Sequence, residues 1–435
     1  MRESLRTQLW PLPAAGVVLA VIAGVALPEL DKSIGSGTGE VAAYLFGGGA
    51  AAARTVLEAI AASLISVTAL TFSLTVVALQ LASSQYSPRL LRTFSADRNV
   101  QVTLALFLAT FTYALTVLRT VRTAEEGQRP FVPQASVTVA FVLALASVLA
   151  LVLFLSHLAL ELRVETLITR VHHDAERTVA RVFQGHPRAE AGEDDIPEPP
   201  LHAVPLLAAR SGFLDRVHER ALLEEAVEAD GVVIVDRFPG SSLIAGTPIG
   251  CVWRRDGTPF DRDRKEQFLH DAARAVSTAR ERTDQQDIAF ALRQLTDVAV
   301  RALSPGINDP TTAVHALSHS SALLCDLAGR PLGPRLLYDD DHRLRAVLNR
   351  PRLSDLLDLA VHQPLRYGGA EPAVLARLLR LLQELAWTVR PEHHALLDGY
   401  HREMRTLIGR HAFPATERRR LDALGDELTR MIAPA

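Results

Sequence analysis

Charge is scarce at the front of this 435-residue chain. Residues 1–160 hold 18 of its 95 Asp, Glu, Lys and Arg, and residues 161–435 hold the other 77. That is about 11% charged against about 28%, an apolar front joined to a polar back, which excludes a disordered chain and a wholly soluble enzyme. Cysteine is limited to Cys251 and Cys325, with no CxxC, so neither a disulfide scaffold nor a zinc framework is written here. Only two lysines occur, Lys32 and Lys265, against 44 arginines. Arginine used throughout the chain cannot mark one site. The net charge of -3 splits into +2 for residues 1–160 and -5 for the rest, so no basic domain points to nucleic acid. There is no GxxxxGK[ST], GxSxG, HExxH or kinase signature, and no set of side chains reads as catalytic or as holding a cofactor.

What the front does contain is apolar runs. Trp10–Leu30, Ile60–Ala82, Val100–Leu118 and Val132–Leu160 are each long enough to cross a hydrocarbon core of about 30 Å at 1.5 Å per residue. Gly16, Ala20 and Gly24 recur every four residues in the first run, a spacing that suits close helix packing in lipid. Arg2, Arg6, Arg89, Arg92, Arg98, Arg163 and Arg170 would share one side of a four-span protein. Lys32, Arg54, Arg119, Arg122 and Arg129 would share the other. The larger basic set marks the cytoplasmic side, and both termini are expected there.

The second run is the most informative. At 100° per residue Ser63, Ser66, Ser73, Gln80 and Ser84 fall within about 100° of arc. Thr68, Thr71 and Thr75 lie nearly opposite, where back-bonding to their own helix makes them cheap. The Gln80 amide wants several hydrogen bonds, and lipid offers none. Two readings stay open: polar glue between the spans of one subunit, or a water-lined path built from one such helix per subunit of a homo-oligomer. Apart from Glu29, the runs hold no charge, so a proton relay or an ion-coupled carrier lacks its usual residues. Arg89, Arg92 and Arg98 then form a basic collar at the cytoplasmic mouth, facing either a pore or lipid headgroups.

Behind the spans, residues 161–200 read as a helical stalk and an acidic, proline-rich linker, AEAGEDDIPEPP. Residues 201–260 read as a small β-rich module, with GVVIVDR as its buried strand and Glu219–Glu228 as a short helix. Residues 261–435 read as a helical domain, with helices expected over Asp263–Glu281 and Asp284–Leu303 and a hairpin around Asp339-Asp340-Asp341. The fold class is therefore four transmembrane helices over 1–160 followed by a cytoplasmic α+β region.

The densest polar segment is RTDQQDIAFALRQLTDVAVRALSPGINDPTTA. On a helix Asp287 and Asp297 would lie roughly 80° apart. Asp309 reads as a helix N-cap with Pro310 at the first helical position. Arg282, Gln286, Asp287, Asp297, Asn308 and Asp309 form either a buried structural network or a hard-cation or ligand site, though no EF-hand spacing is present. His315 and His319 have ligand spacing on one helix but lack a third ligand nearby, and the adjacent His172 and His173 point different ways.

FSLTVVALQLASSQYSPRLL, RTDQQDIAF and RALSPGINDPTTA carry a resemblance. Over nearly its whole length the chain is similar to a bacterial family of predicted membrane proteins of unknown function. The resemblance implies an integral membrane protein with a multi-span front and a cytoplasmic back, and it brings no activity. The reading from the residues is a homo-oligomeric channel for small ions in the bacterial inner membrane, its lipid-embedded second span lining the pore. The alternative is a non-conducting scaffold or sensor whose cytoplasmic half binds a partner or ligand.

Overall fold

A computed structural model describes residues 10–34, 46–85, 98–122, 131–161, 163–184 and 196–433. The chain divides into two compact units, Met1–Thr166 and Leu167–Ala435.

The first unit is built from α1 (Pro11–Ile34), α2 (Ala50–Gln85), α3 (Arg98–Leu118) and α4 (Gln134–Glu161). All four are long and apolar enough to cross a membrane. The hub is α3, which packs on α1, α2 and α4. It is the least apolar of the four and the most enclosed. The physical reason lies in its side chains. Gln101, Thr103 and Thr110 are buried, and a span with such groups is better placed against protein than against hydrocarbon. Thr110 Oγ1 meets Ser147 Oγ of α4 at 3.2 Å, and the Tyr113 hydroxyl donates to the Ser136 carbonyl at 3.1 Å.

The glycines of α1 fit the close packing expected from their spacing. A Cβ on Gly24 would stand 2.8 Å from Thr116 Cβ, and one on Gly16 would stand 3.1 Å from the Ala105 carbonyl oxygen, both on α3. Near the end of α1 the Asp31 carboxylate accepts from Ser136 N at 3.1 Å and from Ser136 Oγ at 2.8 Å, which satisfies a free N–H in the first turn of α4. His157 on α4 meets Asn99 of α3, with 3.4 Å from the amide nitrogen to a ring nitrogen.

The boundary between the units falls within the first turn of α5 (Val164–Val182), a helix separate from α4, and the rest of α5 belongs to the second unit. Leu167, Ile168, Val171, Ala175, Val179 and Val182 bury one face of it. A five-stranded sheet follows, in the order β1 (Val204–Leu207), β5 (Pro248–Arg254), β3 (Gly231–Val235), β8 (Leu344–Leu348), β7 (Arg335–Tyr338). Its β3–β8 pair is parallel and the others are antiparallel. A second, three-stranded sheet has the order β4 (Ser242–Leu243), β2 (Gly212–Val217), β6 (Val276–Ala279). With α6 (Glu219–Glu228) and α7 (Arg262–Arg274) these sheets enclose a core of Leu206, Leu214, Leu222, Val233, Ile249 and Phe268. The helices α8 (Phe290–Ala302), α9 (Pro310–Ala328), α10 (Leu353–Gly368), α11 (Pro372–Thr388), α12 (His394–Arg410) and α13 (Ala415–Ile432) complete the unit.

Two expected helices start or stop elsewhere. The one expected over Asp263–Glu281 ends at Arg274, because Val276-Ser277-Thr278-Ala279 pairs with β2 as an edge strand. β-branched residues beside an open strand edge favour that outcome over helix. The one expected over Asp284–Leu303 begins only at Phe290, because the polar side chains before it bond to β2 rather than line a helix face. The hairpin around Asp339–Asp341 is present as β7–β8. Since β6, β7 and β8 lie beyond position 260, the sheets draw on both 201–260 and 261–435.

Replacing Gly24 by Leu forces α1 away from Thr116. Overpacking of this kind costs about 1–3 kcal/mol. The variant is expected to unfold several degrees below wild type in a detergent melt, while Val18→Leu on the exposed side of α1 leaves the midpoint unchanged.

Candidate functional site

Two groups of polar residues stand out, one in each unit. In the first unit the threonine face of α2 turns inward. Thr71 and Thr75 are buried, and Thr68 is half-buried and donates to Leu64 O at 2.6 Å. Ser63, Ser66, Ser73 and Gln80 are exposed on the other side. Among the described residues they are not enclosed by α1, α3 or α4. Ser66 Oγ donates to Ala62 O and Ser63 Oγ to Ile60 O, both at 3.1 Å, which spares each hydroxyl from lipid. A side-chain amide at Gln80 cannot be satisfied that way.

The exposed face is more regular than its hydroxyls reveal. Thr55, Ala59, Ala62, Ser66, Ala69, Ser73, Val76 and Gln80 follow one another at alternating steps of four and three, and all are exposed. That is the spacing of a heptad seam. Large apolar side chains, Ile65, Leu70, Phe72 and Val77, flank it. The outward side of α4 differs: Phe141, Val142, Leu145, Val148, Leu149 and Val152 present a bulky surface suited to lipid chains. The alanines of the seam carry no polar atom, so a search for polar side chains passes over them. The three-four spacing of small residues was the signal available. Arg98 is exposed at the start of α3. The Ser84 side chain, Arg89 and Arg92 lie outside the described residues.

In the second unit the RTDQQD segment is a stitch. The Gln286 side chain accepts from Val217 N at 2.8 Å and donates to Val217 O at 3.1 Å, taking the place of a strand partner on the edge of β2 opposite β6, where β4 pairs only with Gly212 and Phe213. Arg216 of β2 donates to Gln285 Oε1 at 2.5 Å, and Thr283 donates to Asp215. From α5, Thr178 Oγ1 donates to Asp284 O at 3.1 Å and Arg181 to Gln285 O at 3.2 Å. The segment thus ties α5 to β2.

Its anchor is the Arg282–Asp287 pair. Both Nε (2.9 Å) and Nη2 (2.6 Å) of Arg282 donate to Asp287 Oδ2, and Oδ1 accepts from Ala289 N at 3.1 Å. Asp287 is only 3% exposed. Burial pushes its carboxyl above the usual carboxylate range, and the Arg282 guanidinium opposes that rise. Gly240, at φ +88°, closes over the pair: a Cβ there would stand 2.0 Å from Asp287 Oδ2.

Of the expected cluster, Arg282, Gln286 and Asp287 come together, and Asp287 precedes α8 instead of sharing a helix face with Asp297. Asp297 is half-buried on α8. Asp309 caps α9, accepting from Thr312 N at 3.1 Å and from Thr312 Oγ1 at 2.5 Å, as its place before Pro310 led one to expect. Asn308 is exposed at φ +50°, a left-handed turn residue after Ser304-Pro305-Gly306. Among the described residues no hydrogen bond or ion pair joins Asn308 or Asp309 to Arg282 or Asp287. The carboxylates at 287 and 309 are engaged by protein donors, which leaves a hard cation little to bind.

Removing Asp287 leaves a largely buried guanidinium without its counter-ion, a loss of about 3–5 kcal/mol. Asp287→Ala is therefore expected to lower the thermal midpoint strongly. Gly240→Ala combines a positive φ with a clash and is expected to cost roughly 2–4 kcal/mol. An unchanged midpoint in both variants, followed by fluorescence in detergent, would remove the pair from its anchoring role.

The comparisons with known proteins agree with this architecture. The family model described as "Predicted membrane protein (DUF2254)" matches residues 6–384. Uncharacterized proteins of Mycobacterium tuberculosis and Mycobacterium bovis are 38% identical over 387 residues, covering 88% of this chain and 73% of theirs. No solved structure matches the chain. With four apolar helices ahead of an α+β unit, and with most of its length matched, this chain belongs to the DUF2254 family of predicted membrane proteins.

Proposed function

We propose that the protein is a homo-oligomeric channel for small ions in the bacterial inner membrane. In this reading α2 helices of neighbouring copies meet along their exposed seam, Ser66, Ser73 and Gln80 face water near the shared axis, and Leu167–Ala435 serves as a cytoplasmic assembly and gating domain. Both termini lie on the cytoplasmic side, and no catalytic step is assigned.

The observation that carries the reading is the exposed heptad of small and polar residues on α2. Small side chains let helices approach closely, which is what drives association where lipid is as apolar as leucine. Gln80 supports the same view, since an amide facing hydrocarbon forfeits its hydrogen bonds while one facing a neighbour or water regains them. A neutral lining of hydroxyls and amides suits passage of small hydrated ions.

A second reading also has an observation in its favour. Three seam positions are alanine, and Ser66 bonds to its own helix, so the seam also suits a dry, non-conducting contact between copies of a scaffold or sensor.

Planar-bilayer recording of the purified protein separates the two, with Ser73→Leu and Gln80→Leu beside wild type and Ser73→Cys used for cross-linking. Unitary currents that the leucine variants abolish or reshape, together with cross-linked copies, are the expected result. Cross-linking with silence across voltage, tension and pH would favour the dry contact. Failure of Ser73→Cys and Ser66→Cys to cross-link would sink the oligomeric seam altogether.

A further inference from the structure

The fold brings together histidines that lie about 140 positions apart along the chain. His172 of α5 packs against His319 of α9, with ring centres 5.1 Å apart. His315, one turn before His319, has its ring centre 6.2 Å from it, and His173 flanks His172 at 6.4 Å. On α5, Glu176 lies beside two of them: its Oε1 stands 3.6 Å from His172 Nε2, and its Oε2 stands 2.9 Å from His173 Nδ1. The third imidazole that the sequence spacing of His315 and His319 lacked is supplied by a different helix.

One atom in this group is left unsatisfied. His172 Nδ1 is buried and has no hydrogen-bond partner. A buried ring nitrogen without a partner is costly, and an ion bound at the ring is one of the ordinary ways such a group is accounted for. The spacing suits that account. An imidazole bound at about 2.0–2.1 Å holds its ring centre about 3.2 Å from the ion, so two tetrahedral ligands have ring centres about 5 Å apart. Positions i and i+4 on a helix present both groups to one side, which holds for His315–His319 and again for His172–Glu176.

We propose that His172, His315 and His319, with Glu176 completing the set, form a binding site for a divalent transition-metal ion, which would tether α5 to α9. Among the described residues no three His, Cys, Asp or Glu side chains already stand in ligand positions. Closure is by side-chain rotation of the exposed His315 ring and of the half-exposed Glu176 carboxylate, which exchanges its contact with His173 for the ion. Imidazole nitrogen selects zinc, nickel or copper over magnesium and calcium, which take oxygen. The site is independent of whether the protein conducts.

The test uses the full-length protein in detergent, free of any histidine tag and stripped with a chelator, then titrated with zinc by calorimetry. About one ion per chain is expected, with micromolar or tighter affinity and no magnesium uptake. His172→Ala and His319→Ala are each expected to weaken zinc binding about tenfold or more. His270→Ala, on the exposed side of α7, leaves it unchanged. His315→Ala, at an exposed ring, reads the same loss if His172→Ala fails to fold. No zinc uptake, or uptake that none of the three histidine variants weakens, would overturn the site.

Discussion

A polar side chain inside a bilayer can bond only to protein, to a neighbouring copy or to water held by protein. That constraint arranges the first unit. It places α3, the span with the most buried polar groups, at the centre, where Thr110, Tyr113 and Gln101 are enclosed by the other three helices. It sends the apolar α4 to the outside with a broad bulky face. It also makes α2 conspicuous. One polar face of that helix is buried against the other helices, while the other, with Ser73 and Gln80, is left on the surface.

The same physics takes a different form in the second unit, where water is available. There the cost falls on charge taken out of water. Asp287 is buried only because Arg282 and the Ala289 amide engage both of its oxygens, and because Gly240 leaves room for the pair. With that pair in place, Gln285 and Gln286 reach β2, and the backbone of the same segment receives Thr178 and Arg181 of α5. The segment serves as a polar joint between a helix and a sheet. Ion pairs and reciprocal amide bonds spend the donors and acceptors that a ligand would need.

Much of this was legible in advance. The four spans follow from length and hydropathy, because crossing hydrocarbon demands an unbroken apolar run that few other structures need. The α1 glycines announced their packing through a four-residue repeat, and Asp309-Pro310 announced a helix start through capping chemistry. The misread elements share a cause. Val276–Ala279 and the residues before Phe290 adopt their conformations because β2 lies beside them, and no local preference encodes a neighbour from 60 positions earlier.

The sequence by itself determined which segments are apolar, that α9 starts at Asp309-Pro310, and that the chain has an apolar front and a polar back. Those properties depend on composition and on residues within a few positions of each other. Only the tertiary structure decided which face of α2 is left outside, that Asp287 is anchored by Arg282 and the Ala289 amide, and that His172 meets His319. Each of these depends on contacts between distant segments, where packing determines which polar groups are satisfied at home and which remain available.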